Sequence, residues 1–169
     1  MKTKTILGAT VLSIIILASC SQNKEKSVDF DGLISTYMSV DDIPSFTQRG
    51  SVDSVLNIIE TSFNSKNYEA VNDIIIKNQE SFADGDKDIV YIYQGVSYAK
   101  RGMYTEAYNV LANNEIYENS LYEQMANWYL AMSMMKTQNV SEAKKLFTAF
   151  AKDPSHYKQE EAKEILKKL

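Results

Sequence analysis

The chain has 169 residues, 44% hydrophobic and 24% charged, with a formal net charge of −4. That length accommodates one domain with its own core and gives no reason to expect two. The acidic balance makes the chain a poor candidate for a nucleic-acid partner, which requires clustered Lys and Arg, and it disfavours adsorption to anionic headgroups.

One cysteine and one histidine leave no intramolecular disulfide, no thiolate metal cluster, no multi-histidine metal site and no recognisable triad. Two prolines and six glycines interrupt long stretches of sequence, which favours helices over a meander of short strands.

In chain order, the first element is a leader. Lys2 and Lys4 give a basic start, Ile6 to Leu17 a charge-free and mostly apolar run, and Leu17-Ala18-Ser19-Cys20 a small-residue exit. Residues 1–19 read as a secretory signal, too short for a membrane span of roughly 20 apolar residues. Leu-Ala-Ser-Cys resembles the bacterial lipobox, which implies that Cys20 is lipidated and becomes the N-terminus after cleavage. Several acyl chains on one residue give stable anchoring. Loss of Lys2 and Lys4 leaves 16 basic against 22 acidic residues, a net charge near −6.

Residues 20–50 form the second segment: Cys20, a polar tether from Ser21 to about Ser27, and a short amphipathic stretch from Phe30 to Met38 with Leu33, Ile34, Tyr37 and Met38 at helical spacing. Asp41-Asp42-Ile43-Pro44 closes it.

Residues 51–169 form the main domain. Ser51 is the expected N-cap of a helix carrying Val52, Val55, Leu56, Ile59 and Phe63, ended by Asn64-Ser65-Lys66-Asn67. A second helix is expected from Tyr68 to about Phe82, then a polar turn, Ala83 to Asp88. A third follows from about Asp88 to Arg101, with Lys100-Arg101-Gly102 as its C-terminal chemistry. Further helices are expected from Thr105 to about Asn113, Leu121 to Lys136, Ser141 to about Lys152, and after Pro154-Ser155. The Leu121 helix is apolar nearly all round and must be covered on more than one side.

Glu-Ala occurs at Glu69-Ala70, Glu106-Ala107 and Glu142-Ala143, each followed four residues after Ala by a large apolar residue: Ile74, Leu111 and Phe147. The Ala positions are 37 and 36 residues apart, each opening the second helix of a pair. Small residues there let two helices approach closely, and a fixed spacing of this size marks a helical solenoid whose units must stack to bury their apolar faces.

The chain resembles the tetratricopeptide repeat family from about Ser51 to Pro154. Tyr91, Gly95, Tyr98, Ala107 and Leu111 stand where the family has its aromatic, Gly, Tyr, Ala and large apolar residue. In the third pair Leu130, Ala131, Ala143 and Phe147 fit, with Trp128 one place late and Pro154 one place early. The first pair keeps only Ala70 and Ile74. The "WYLA", "EAKKLF" and "DPSHYK" segments, with an aromatic-rich stretch before the repeats, are similar to tetratricopeptide lipoproteins of Bacteroidetes-type bacteria.

The resemblance implies an all-α, right-handed solenoid of about three helix pairs plus a C-terminal capping helix, with Ala70, Gly95, Ala107 and Ala143 as packing positions. It implies a non-enzymatic scaffold without cofactor, metal or small-molecule substrate, binding an envelope protein or peptide. The groove positions carried over are Val55, Ile59, Ile92, Val96, Trp128, Met132 and Met135. The Lys and Asn set that clamps a peptide carboxylate in some members is absent.

Such an apolar strip exceeds what soluble monomers usually leave bare. Either Phe30 to Met38 covers it, with Leu33, Ile34 and Tyr37 as the plug, or it receives a helix or extended segment of another protein, the Met residues supplying adaptability. Ser21 is not the acidic residue that retains enteric lipoproteins in the inner membrane, so an outer-membrane, periplasm-facing position is expected. An envelope-stress regulator and an accessory subunit or hydrolase with scattered carboxylates are the alternatives.

Asp84 to Asp88 imitates the start of a calcium loop, but Ile89 stands at the required Gly and Gly95 at the bidentate Glu. His156, beside a helix start, is expected to be exposed and without a special role.

Overall fold

A computed structural model of the chain describes residues 28–38, 43–46, 54–112, 120–137 and 139–169. The signal, Cys20, the tether and Ser51 lie outside the described residues. Among those described, the structure is all-helical: α1 (Phe30–Tyr37), α2 (Ser54–Asn64), α3 (Tyr68–Asn78), α4 (Asp84–Lys100), α5 (Tyr104–Leu111), α6 (Ser120–Lys136), α7 (Val140–Lys152) and α8 (Gln159–Leu166), with a 3-10 turn at Gln79–Ser81. No helix among them is long and apolar enough to cross a membrane.

From α2 to α8 each helix packs on the next in chain order, and α2, α4 and α6 also touch one another in turn. We label α2, α4 and α6, which touch in turn, the inner row, and their pair partners α3, α5 and α7 the outer row.

The turns within the pairs share one backbone geometry. Asn67 N–H donates to the Ser62 carbonyl at 2.8 Å, Met103 N–H to Tyr98 at 2.9 Å, and Asn139 N–H to Met134 at 3.0 Å. These are the long bonds of a Schellman helix end. The residue just before the first two donors is left-handed: Lys66 at φ 62° and Gly102 at φ 78°. A side chain at that conformation costs energy that glycine avoids.

The donors 67, 103 and 139 stand 36 residues apart, and the outer helices repeat at the same interval. Val71, Ala107 and Ala143 are fully buried, as are Ile75, Leu111 and Phe147 one turn on. Ala70, expected as a packing position, is only half-buried. The first pair is displaced by one residue from the Glu-Ala match, and its buried couple is Val71 and Ile75.

Gly95 holds the middle pair together: an added Cβ would lie 2.6 Å from Leu111 Cδ2. The only side chain that fits between α4 and α5 there is none at all. Asn72, buried, ties α3 to α4 by donating Nδ2–H to the Gln94 carbonyl at 3.0 Å, while its Oδ1 accepts from Arg101 at 3.3 Å. Arg101 also pairs with Glu69 at 3.5 Å.

Two boundaries differ from expectation. The second helix stops at Asn78 rather than Phe82, and α4 starts at Asp84, so the acidic stretch is its first turn and not a connecting turn. Asp84 and Asp86 there complement the helix N-terminus, and Lys87 bonds Asp84 at 2.7 Å, holding that carboxyl below its ordinary range.

Candidate functional site

The period of 36 aligns the inner helices residue by residue. Leu56, Ile92 and Trp128 occupy one position, Glu60, Val96 and Met132 the next turn, and Phe63, Ala99 and Met135 the turn after that. All but the half-buried Glu60 are buried. The expected groove residues of the second and third pairs, Ile92, Val96, Trp128 and Met132, thus share equivalent positions on one face, and Met135 continues it. In the first pair Ile59 is fully buried and Val55 half-buried. The register of that pair is again one residue off: Leu56 and Glu60 are the equivalents.

The chain's own N-terminal segment lies along this face. Asp29 caps α1 by accepting the Gly32 N–H at 2.9 Å, and the helix turns Leu33 and Ile34 into the core, followed by Met38, Ile43 and Phe46. Tyr37 stays half-exposed, so the plug reaches further along the chain than Leu33, Ile34 and Tyr37.

Polar contacts tie the segment to the inner helices. Lys136 of α6 meets Asp31 at 2.7 Å; this bond holds its ammonium above the ordinary lysine range. Trp128 Nε1–H donates to the Tyr37 carbonyl at 3.3 Å. Lys100 Nζ, at the end of α4, donates to the Met38 carbonyl at 2.8 Å. These two carbonyls belong to the end of α1, where main-chain acceptors have no intrahelical donor.

Farther on, Phe46 stacks on Tyr93 with centroids 5.0 Å apart, and the Tyr93 hydroxyl reaches the Pro44 carbonyl at 3.4 Å. Burial pushes the Tyr93 phenol far above its ordinary range.

Trp128 is where α1 and the corner after α7 meet. From α7 and beyond it receives Phe147 edge-on at 5.5 Å, Phe150 at 6.2 Å and His156 at 6.5 Å. Its indole N–H goes to Tyr37, which also receives Lys168: Nζ lies 5.0 Å from the ring centroid and 3.2 Å from the hydroxyl.

Sequence reasoning placed His156 at the surface. It is buried, because the corner between α7 and α8 folds it flat on Phe150 at a centroid distance of 4.2 Å and an interplanar angle of 18°. Nothing local in the sequence points to Lys100, Lys136 and Tyr93, whose partners lie 49 to 105 residues away.

A cleft of about 570 Å³ opens between α1 and the end of α8, with Asp29, Gly32 and Thr36 on one side and Lys167 and Lys168 on the other. Its charges are mixed, and its carboxylate is already engaged in capping α1. Among the described residues no three His, Cys, Asp or Glu side chains are placed to share a metal ion.

The arrangement seats the chain's own α1: buried apolar side chains, a lysine opposite its first turn, and two donors opposite its last carbonyls. Comparison with protein-family models, curated proteins and solved structures finds no match in any of the three.

Proposed function

We propose that the chain is a lipid-anchored, non-enzymatic adaptor of tetratricopeptide type that holds a short amphipathic helix of an envelope partner on the face formed by α2, α4 and α6. Its three helix pairs, α2–α3, α4–α5 and α6–α7, wind into a right-handed solenoid capped by α8. Cys20 carries the lipid, and the domain faces the periplasm from the outer membrane; the Leu17-to-Cys20 motif and Ser21 support that placement.

The observation that carries the binding function is the seating of residues 30–38 and 43–46 on the inner helices. This segment demonstrates what the face accommodates: an acidic residue in the first turn opposite Lys136, an adjacent aliphatic pair, and free terminal carbonyls opposite Trp128 and Lys100. A partner helix of that chemistry replaces or extends α1, which at eight residues is too short to be stable by itself.

Ile34→Asp places a charge under α1 and loosens it. The full-length variant is expected to capture a fluorescent peptide of residues 28–46 that the parent chain does not, measured by anisotropy. A variant that keeps its helical circular dichroism and captures no peptide overturns the adaptor function.

A further inference from the structure

We infer that His156 is an acid-sensitive latch: gaining a proton unseats the corner between α7 and α8, and with it the hold of α8 on α1 over the inner face. The regulatory half rests on the adaptor function proposed above; the latch itself does not.

The geometry makes the imidazolium a poor fit at both nitrogens. Nδ1 accepts the Lys158 main-chain N–H at 3.1 Å, which fixes the neutral tautomer with its hydrogen on Nε2. Nε2 is itself buried without a hydrogen-bond partner. A second proton would turn Nδ1 from acceptor to donor against another donor, and would place a cation between Phe150 and Trp128 with no acceptor at either end.

The titratable and charged groups that face the ring are Asp153 at the end of α7 and Glu161 on α8, both favouring the cation, the neighbouring Lys158, and Tyr157, whose ring lies 5.4 Å away and is neutral across the acid range. Asp153 is already occupied, its Oδ1 accepting from the Ser155 N–H at 2.8 Å and hydroxyl at 2.7 Å. From α6 come Trp128 and, at the adjoining Tyr157 amide, Gln124 at 3.3 Å, neither of which titrates. Burial outweighs the two carboxylates and lowers the His156 pKa from its ordinary value of 6.5.

The sign follows. Above pH 6.5 the imidazole is neutral whether the corner is closed or open, and contributes no pH dependence. Below 6.5 the open state takes up a proton that the closed state refuses, so closure weakens as pH falls, until the closed state protonates too.

The corner is wired to α1 through two contacts: Trp128, which touches His156 and binds the Tyr37 carbonyl, and Lys168, two residues past the end of α8, which sits on the Tyr37 ring. His156 is the only histidine in the chain, so no other side chain has an ordinary pKa between pH 5 and 8.

Two measurements on the full-length protein test this. In proton NMR the single imidazole Cε1–H is expected to titrate below pH 6.5. Native-state hydrogen exchange, corrected for the pH dependence of intrinsic exchange, is expected to show α8 opening up to tenfold more for each pH unit between 6.5 and 5.5, a one-proton slope, with α1 amides following. His156→Asn keeps an acceptor near the Nδ1 position and has no proton to gain, and its slope is expected to vanish.

Titration at 6.5 or above with unchanged α8 protection overturns the latch, as does the same slope in His156→Asn. Because the first result is read on the parent chain, a poorly folding variant does not rescue the idea. Opening of α8 without α1 overturns the coupling to the inner face and leaves the adaptor standing. The one-proton slope combined with failed peptide capture by Ile34→Asp retains the latch and removes the adaptor.

Discussion

The three helix pairs and the two chain ends are built on different logics. Each pair closes through a turn repeated at a fixed interval: Asn67, Met103 and Asn139 donate the same bond, and a buried couple follows at 71/75, 107/111 and 143/147. These contacts are short in sequence and recur. The ends, α1 and α8, follow no such period. They are joined at Tyr37, whose carbonyl accepts from Trp128 91 residues away and whose hydroxyl accepts from Lys168, just past α8 and 131 residues away. Local repetition specifies the body, whereas the covering of its inner face depends on single long-range contacts, each without a duplicate to compensate for its loss.

Substitutions that separate these two logics span a range of sizes. Trp128→Ala removes the meeting point of α1 and the corner after α7 and is expected to cost about 3–5 kcal/mol in urea unfolding; a loss below about 1 kcal/mol would place the tryptophan outside the core. Gly95→Ala sets helix propensity, favouring Ala by about 1 kcal/mol, against a collision with Leu111. Overpacking costs roughly 1–3 kcal/mol, so a net loss is expected, and a stabilised protein would show that α4 and α5 do not approach there.

The two left-handed turn residues should respond in opposite directions. Gly102→Ala is expected to destabilise by about 1 kcal/mol and Lys66→Gly to stabilise by up to about the same amount. Equal responses would contradict a shared turn geometry. Smallest is Asp31→Asn: it removes the partner of Lys136 from a largely exposed carboxylate. A slight shift of the unfolding midpoint is expected at low salt and none at high salt.

Much of the body was legible because amphipathic period and turn chemistry are local. Helices α2 to α7 were found within a few residues, and Ile92, Val96, Trp128 and Met132 were assigned to one face. The first pair was misaligned by one residue because Glu69-Ala70 matches the letters of Glu106-Ala107, whereas the period of 36 points to Val71. The better signal was Asn67, whose side chain caps α3 by accepting the Ala70 N–H.

Asp84 to Asp88 read both as turn formers and as a negative N-terminus for the helix behind them; the second reading fits α4, whose first turn they form, with Ile89 and Val90 buried directly behind. His156 could not be placed from sequence at all, because its burial depends on Phe150 and Trp128 arriving from two other helices. The same holds for the plug, where Leu33 and Ile34 follow from periodicity but Phe46 finds Tyr93 only in the folded chain.

The seating of the N-terminal segment on the inner face can be read at one atom. Trp128 is the only tryptophan in the chain, so its indole N–H gives a single proton resonance, and that proton is donated to the Tyr37 carbonyl. Its hydrogen exchange is expected to be slow in the parent protein at pH 7.5 and to accelerate at least tenfold in Ile34→Asp with helix content retained. Fast exchange in the parent protein, with its helices intact, would mean that α1 does not cover the face.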